Sequence, residues 1–201
     1  MSNETDKPRT KAAQREATRT RLVEAARALF ATRGYADVGT EEIVRAAGVT
    51  RGALYHQFAD KRELFLAVFE EVETDVIAQA AGTMGQAASA LEALRAGFLG
   101  WLDACTSPEV HRIVLVDAPA VLGWDTWREI GERHGLGVTI AGLQAAMDAG
   151  EIAPQPVRAL AHVVVGALDE AALYVSRAAD PAAARADMEL VLGRLVDGLR
   201  G

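Results

Sequence analysis

The chain has 201 residues, 50% of them hydrophobic and 24% charged, with few aromatics and only six prolines; this excludes a disordered or fibrous chain and predicts a helical globular protein, large enough for a small module joined to a larger one. A net charge of −7 argues against a nucleic-acid partner only if it is evenly spread, and it is not: residues 1–69 hold 12 Lys or Arg against 9 Asp or Glu, whereas residues 70–201 hold 9 against 19, so the first third alone has the basic character that phosphate binding needs. A single cysteine excludes an intrachain disulfide and a multi-cysteine zinc site, and the polar start, with no uninterrupted apolar run later, predicts a cytoplasmic protein without a membrane span.

Residues 1–13 are polar and aperiodic and are expected to form a flexible basic arm exposing Lys7, Arg9 and Lys11. Leu22, Ala26, Leu29 and Phe30 then recur at helical spacing, which predicts a first helix over 14–33 ending at Gly34. Thr40 is the expected cap of a second helix whose first turn carries Glu41 and Glu42, charges suited to the positive end of a helix dipole. Gly48 should break that helix and Val49 fill the angle before Thr50 caps a short third helix over 51–57. Asp60 with Glu63 forms a capping box for a fourth helix over about 61–81.

Beyond it, Ser107-Pro108, Pro119, Gly150 and Pro154 are the expected breakers between further helices. Asp180-Pro181 opens the last one, with Met188, Val191, Leu192, Leu195 and Leu199 on one stripe. Residues 157–175 are apolar nearly all round, so this helix must be covered on more than one side. Pairing with a second copy through the last two helices would supply that cover.

The segment TEEIVRAAGVTRGALYHQF, residues 40–58, has the layout of a helix-turn-helix. With the helix before it and the DKRELF opening of the helix after it, residues 14–70 resemble the N-terminal domain of the TetR/AcrR family of transcriptional regulators. The resemblance implies an all-α fold of about nine helices. It would comprise a DNA-binding domain over 14–60, a ligand-binding and dimerisation domain over 61–201, and a fourth helix linking the two. It further implies a homodimer on a palindromic double-stranded operator, released by a small-molecule effector that binds the larger domain.

A recognition helix enters the major groove N-terminus first. Thr50, Arg51, Gly52 and Ala53 are therefore expected near bases and phosphates, and Tyr55 and His56 on the exposed side, with Leu54 and Phe58 facing the core. Thr40 is expected on phosphate. Lys61 is a cation in the first turn of a helix, which opposes the dipole; a phosphate contact, which the family pattern assigns to this lysine, would account for it. For the effector site the candidates are Phe98, Trp101 and Cys105 at helical spacing, Trp124 and Trp127, and His111, Asp117 and Met147 near them. Packing explains each of these equally well. No metal and no cofactor is expected. A bundle enzyme of the di-iron carboxylate type needs Glu-x-x-His pairs that the sequence lacks, and no catalytic elbow or phosphate loop is visible. A helical interaction adaptor of the same fold, without DNA binding, is the alternative.

Overall fold

In the computed structural model, which describes residues 10–200, helix α1 (Lys11–Arg33) starts before the expected position, because Thr10 caps it by accepting a hydrogen bond from the Ala13 amide. Lys11 thus lies exposed in the first turn of a helix rather than in an arm, while Lys7 and Arg9 fall outside the described residues. Two compact units divide the chain, one ending at Val68 and the other starting at Phe69.

In the first unit, α2 (Thr40–Ala46) is capped by Gly39 rather than by Thr40. The Gly39 carbonyl already accepts from the Glu42 and Ile43 amides, so Thr40 becomes the first helical residue and its hydroxyl has no cap to make. Gly48 ends α2 with φ +63°, a left-handed geometry that lets its own amide reach the Arg45 carbonyl and the Val49 amide reach that of Val44. These two bonds satisfy carbonyls that a helix end otherwise leaves open. Thr50 accepts from the Ala53 amide at 3.2 Å and starts α3 (Arg51–Gln57) at the expected residue.

The next helix, α4 (Lys61–Thr83), opens on the expected capping box. The Glu63 amide donates to Asp60 at 2.8 Å, but the Glu63 carboxylate accepts from the Ala59 amide, one residue earlier than the usual pairing. Leu22, Ala26, Phe30, Ile43, Leu54, Leu64 and Phe65 are fully buried. The Phe30 and Phe65 rings meet edge to face at 5.4 Å, and a buried phenylalanine contributes about 3–5 kcal/mol on the scale of truncation to alanine. That contact fixes the first turns of α4 on α1.

The second unit continues α4 through a 3-10 turn at Met84–Gln86 into α5 (Ala90–Ala104). The Ser89 hydroxyl caps α5, and the Glu151 carboxylate accepts from the Ala90 and Leu91 amides at 3.0 and 2.9 Å. Those bonds at a positive helix end hold the Glu151 pKa down. Helix α6 (108–122) is α-helical at Pro108–Val110 and Ala118–Leu122 and widens to π geometry over His111–Asp117. Pro119 was an expected breaker, yet it lies within this helix. It has no amide hydrogen, so the Val114 carbonyl, five residues earlier, loses its π-type partner. The Trp127 indole fills the gap by donating to that carbonyl at 2.8 Å.

After α6 come α7 (Trp124–Asp148), α8 (Val157–Arg177) and α9 (Pro181–Asp197), the last capped by Asp180 as expected. Counting α6 once, the described residues hold nine helices in an all-α fold. By length and composition alone α8 is long and apolar enough to cross a membrane, a test that core helices of soluble proteins also pass, but it is not the uninterrupted apolar run of a span. Asp169 and Glu170 interrupt that stretch without lowering its mean hydropathy enough to fail. The predicted α9 stripe is split: Leu192 is buried, but Val191 and Leu195 are exposed together with Leu190, as are Val163 and Tyr174 on α8.

Candidate functional site

Helix α3 turns Leu54 inward with no exposure, and Phe58 packs beside it at its end. The opposite side consists of Arg51, Gly52, Tyr55 and His56, all exposed, with Thr50 at the tip and Ala53 half-buried between the two sides. Arg51 forms an ion pair with Glu41 at 2.9 Å and lies 5.7 Å from the Tyr55 ring centre. At this degree of exposure such a pair is worth only about 0–1 kcal/mol, so an incoming anion competes with Glu41 on easy terms. Gly52 is helical, and a Cβ built there would meet only Thr50 Oγ1, at 3.9 Å. Nothing inside the protein requires glycine at this place, where alanine would stabilise the helix by about 0.5–1 kcal/mol.

Lys61 is half-buried, its ammonium 4.0 Å from the centre of the Tyr35 ring and donating to the Tyr35 carbonyl at 2.5 Å. The cation at a positive helix end therefore has a local compensation that the sequence did not reveal, since Tyr35 is 26 positions away. Thr40, half-buried, begins α2. Arg19 lies over the Phe58 ring at 4.8 Å, and Gln57 donates to the Arg15 carbonyl, so basic residues of α1 brace the end of α3.

Within the second unit, α4, α5, α7 and α8 line a partly open cavity of about 70 Å³. Of the residues proposed from sequence, Phe98, Trp101 and Trp127 line it. Cys105, His111, Asp117, Trp124 and Met147 do not. Trp124 is exposed, with its ring against Trp127 at 4.7 Å. His111 Nε2 lies 3.4 Å from the Ser176 carbonyl. Cys105 is buried, and burial first, then the nearby Glu73 and Asp169 carboxylates, push its thiol pKa well up, opposite to what a reactive thiolate needs.

The polar groups of the wall are ones the sequence reading passed over: Glu73, Arg128, Thr139 and Asp169. Glu73 is only 5% exposed, and its carboxylate has no hydrogen-bond or ion-pair partner among the described residues. Burial raises its pKa to about 7, with the Asp169 charge adding to the effect. Asp169 is raised to about 6, by burial against the opposing pull of Arg128, whose guanidinium is 3.9 Å away. Arg128 also bridges Glu132 at 3.2 Å. One signal was available. Glu73 falls on the apolar stripe of α4, one turn after Phe69 and one before Val76, both buried, where a carboxylate is out of place unless something uses it.

Residues 91–199 match the family pattern described as "Tetracyclin repressor-like, C-terminal domain", and residues 22–68 match "Bacterial regulatory proteins, tetR family". The chain is 31% identical over 111 residues to the Transposon Tn10 TetC protein of Escherichia coli, covering 54% of this chain and 55% of that one. It is 46% identical over 57 residues to the HTH-type transcriptional regulator SrpR of Pseudomonas putida, covering 28% and 27%. The chain thus spans about half or less of the length of these curated relatives. Among solved structures, a TetR-family transcriptional regulator from Pectobacterium atrosepticum superposes with a TM-score of 0.85 at 34% identity, over 96% of this chain and 98% of that chain.

Proposed function

The chain belongs to the TetR family of bacterial regulatory proteins, and from that premise we propose that it is a sequence-specific DNA-binding transcriptional repressor, released from its operator by a small molecule held in the cavity of its second unit. The family fold is that of a DNA-binding regulator that dimerises; the operator, the effector and the interface are specific to this chain. The observation that carries the DNA reading is the outward side of α3. Arg51, Tyr55 and His56 surround a glycine that the protein's own packing does not require, and close approach of a DNA backbone or base edge is a use for it.

In this reading Arg51 exchanges Glu41 for a guanine edge or a phosphate, and Thr40 and Thr50 donate to phosphate from two helix starts. Lys61, positioned by Tyr35, contacts the DNA backbone with less side-chain ordering still to lose. The exposed apolar residues of α8 and α9 form the contact between two copies, so the operator is an inverted repeat with half-sites about one helical turn apart. Effector binding favours a dimer whose two α3 helices no longer match successive grooves. A crystal structure with effector bound and the spacing of the two α3 helices unchanged from the DNA complex would contradict that step.

The test is selection from a random double-stranded DNA pool at about 0.15 M salt, where weak charge attraction is screened. An enriched palindrome is expected. Lys61→Ala should then weaken binding to every sequence by roughly tenfold and lower the salt slope by about 1. The internal engagement of Arg51 by Glu41 and of Lys61 by Tyr35 suits the adaptor alternative equally well. No enrichment, with Lys61→Ala equal to wild type, would decide for it.

Gly52→Ala separates stability from function. We expect a thermal melt shifted upward, in line with the gain of about 0.5–1 kcal/mol for alanine in a helix, together with operator affinity lowered about tenfold or more in a fluorescence-anisotropy titration. Unchanged affinity would mean that the DNA backbone does not approach α3 at this residue.

A further inference from the structure

We propose that the effector is a lipophilic organic cation, a protonated amine or quaternary ammonium, whose charge supplies the counter-ion that Glu73 lacks and whose apolar body lies against Phe98 and Trp101. This rests on the reading of the cavity as the effector site and adds its chemical class. Three observations lead to it. The wall is mostly apolar and aromatic, as a site for a hydrophobic small molecule requires. Its charges do not balance: the wall carries the carboxylates of Glu73 and Asp169 against the single guanidinium of Arg128, which pairs with Asp169 and, outside the wall, with Glu132, and Glu73, at 5% exposure, has no partner among the described residues.

The third observation is room. Gly131 and Gly135, one turn apart on α7, both face the cavity. A Cβ at Gly131 would meet nothing within 4 Å, and one at Gly135 only the Ile77 side chain at 3.7 Å. Glycine in mid-helix costs about 0.5–1 kcal/mol relative to alanine, and no neighbour needs the space that these two leave open. A molecule entering the cavity would use it.

A carboxylate whose oxygens touch only the cavity space has lost most of its hydration without gaining a protein partner among the described residues, which is why the Glu73 pKa lies near 7. A cation beside it converts that unfavourable site into a paired one. An anionic ligand would face Glu73 and Asp169, with Arg128 the one cation among the described lining residues to meet it. A neutral one would leave the charge as it is. Tryptophan faces add attraction for a cation in a desolvated site.

The experiment uses the full chain and matched ligand triples, an amine, the corresponding alcohol and the corresponding carboxylate, each built on phenylbutyl, naphthylpropyl and biphenylmethyl groups. Affinities are measured by calorimetry for wild type, Glu73→Gln and Gly131→Leu. We expect the amine of at least one triple to bind wild type at least about tenfold more tightly than its alcohol, a gap of about 1.4 kcal/mol. Glu73→Gln should erase that gap while retaining alcohol binding, and Gly131→Leu should abolish binding of all three. If alcohols or carboxylates bind as tightly as amines, or if the amine preference survives in Glu73→Gln, while Gly131→Leu still blocks binding, the cation proposal is overturned and the cavity reading stands. If no compound binds, or if Gly131→Leu leaves binding intact, both are overturned.

Discussion

Leu195→Glu is expected to turn the dimer into a folded monomer and to abolish operator binding at concentrations where the wild type saturates. Leu195 is 56% exposed and is flanked on α9 by Leu190 and Val191, with Val163 and Tyr174 exposed on α8. In a single chain a carboxylate at this place meets water, so the fold itself should be untouched. In a two-fold contact each substitution is present twice, and an unpaired charge buried at an interface costs about 2–5 kcal/mol. Two of them amount to a dimer dissociation constant raised by about a thousandfold or more. A monomer reads only one half-site, which removes the second set of contacts from the same binding event. Sedimentation equilibrium and circular dichroism on the variant would check both halves of the expectation. A variant that remains dimeric with full operator affinity would place the contact between copies elsewhere.

What the sequence disclosed and what it concealed follow from the range of the interactions involved. The caps at Thr50, Asp60 and Asp180 are bonds between residues three apart, so they were legible, and the boundaries of α3 and the starts of α4 and α9 came out as expected. Thr40 was misassigned as a cap because threonine suits both the cap and the first helical turn, and only the path of the backbone at Gly39 decides between them. Pro119 was misread as a breaker. Its missing amide is tolerated through the Trp127 indole, which donates to the Val114 carbonyl thirteen residues before it, a tertiary effect that no local rule contains. The Lys61 anomaly was detected correctly as a violated rule, but its compensation by Tyr35 requires α1 to be packed against α4 first.

The effector cavity was the least legible feature. Aromatic side chains at helical spacing are common in any core, so Phe98, Trp101 and Trp127 could not be told from Cys105, Trp124 and Met147 before the helices were assembled. The carboxylates were the more informative signal. Glu73 interrupts the buried stripe of α4 and Asp169 interrupts the apolar run of α8, and the two come together only when those helices do.

That pairing sets an expectation for stability that is opposite to the usual result of mutating a buried residue. Both carboxyls hold their proton more tightly in the folded protein than in the unfolded chain: Asp169 ionises first, at about 6, and Glu73 near 7, against ordinary values of 3.8 and 4.5. Folding stability from these groups is therefore fully present below the ordinary carboxylate range and declines as pH rises through about 6 and then about 7. Above that range the ligand-free wild type carries a buried negative charge at Glu73 near the half-buried one of Asp169, and of the two only Asp169 pairs with Arg128. Glu73→Gln removes one charge and keeps the shape. At about pH 8 the ligand-free variant should be more stable than wild type by roughly 2 kcal/mol, the linkage value less the remaining cost of an unpaired buried amide. For a chain of this size that is a rise of about 4–8 °C in melting temperature. At about pH 5 folded Glu73 still holds its proton while the unfolded carboxyl is already mostly ionised, so only a small part of the linkage cost has set in and the difference should shrink towards zero. Melting curves of both proteins at the two pH values decide the matter. A variant less stable than wild type at the higher pH would show that Glu73 already has a partner in solution, and would remove the charge imbalance from which the cation preference follows.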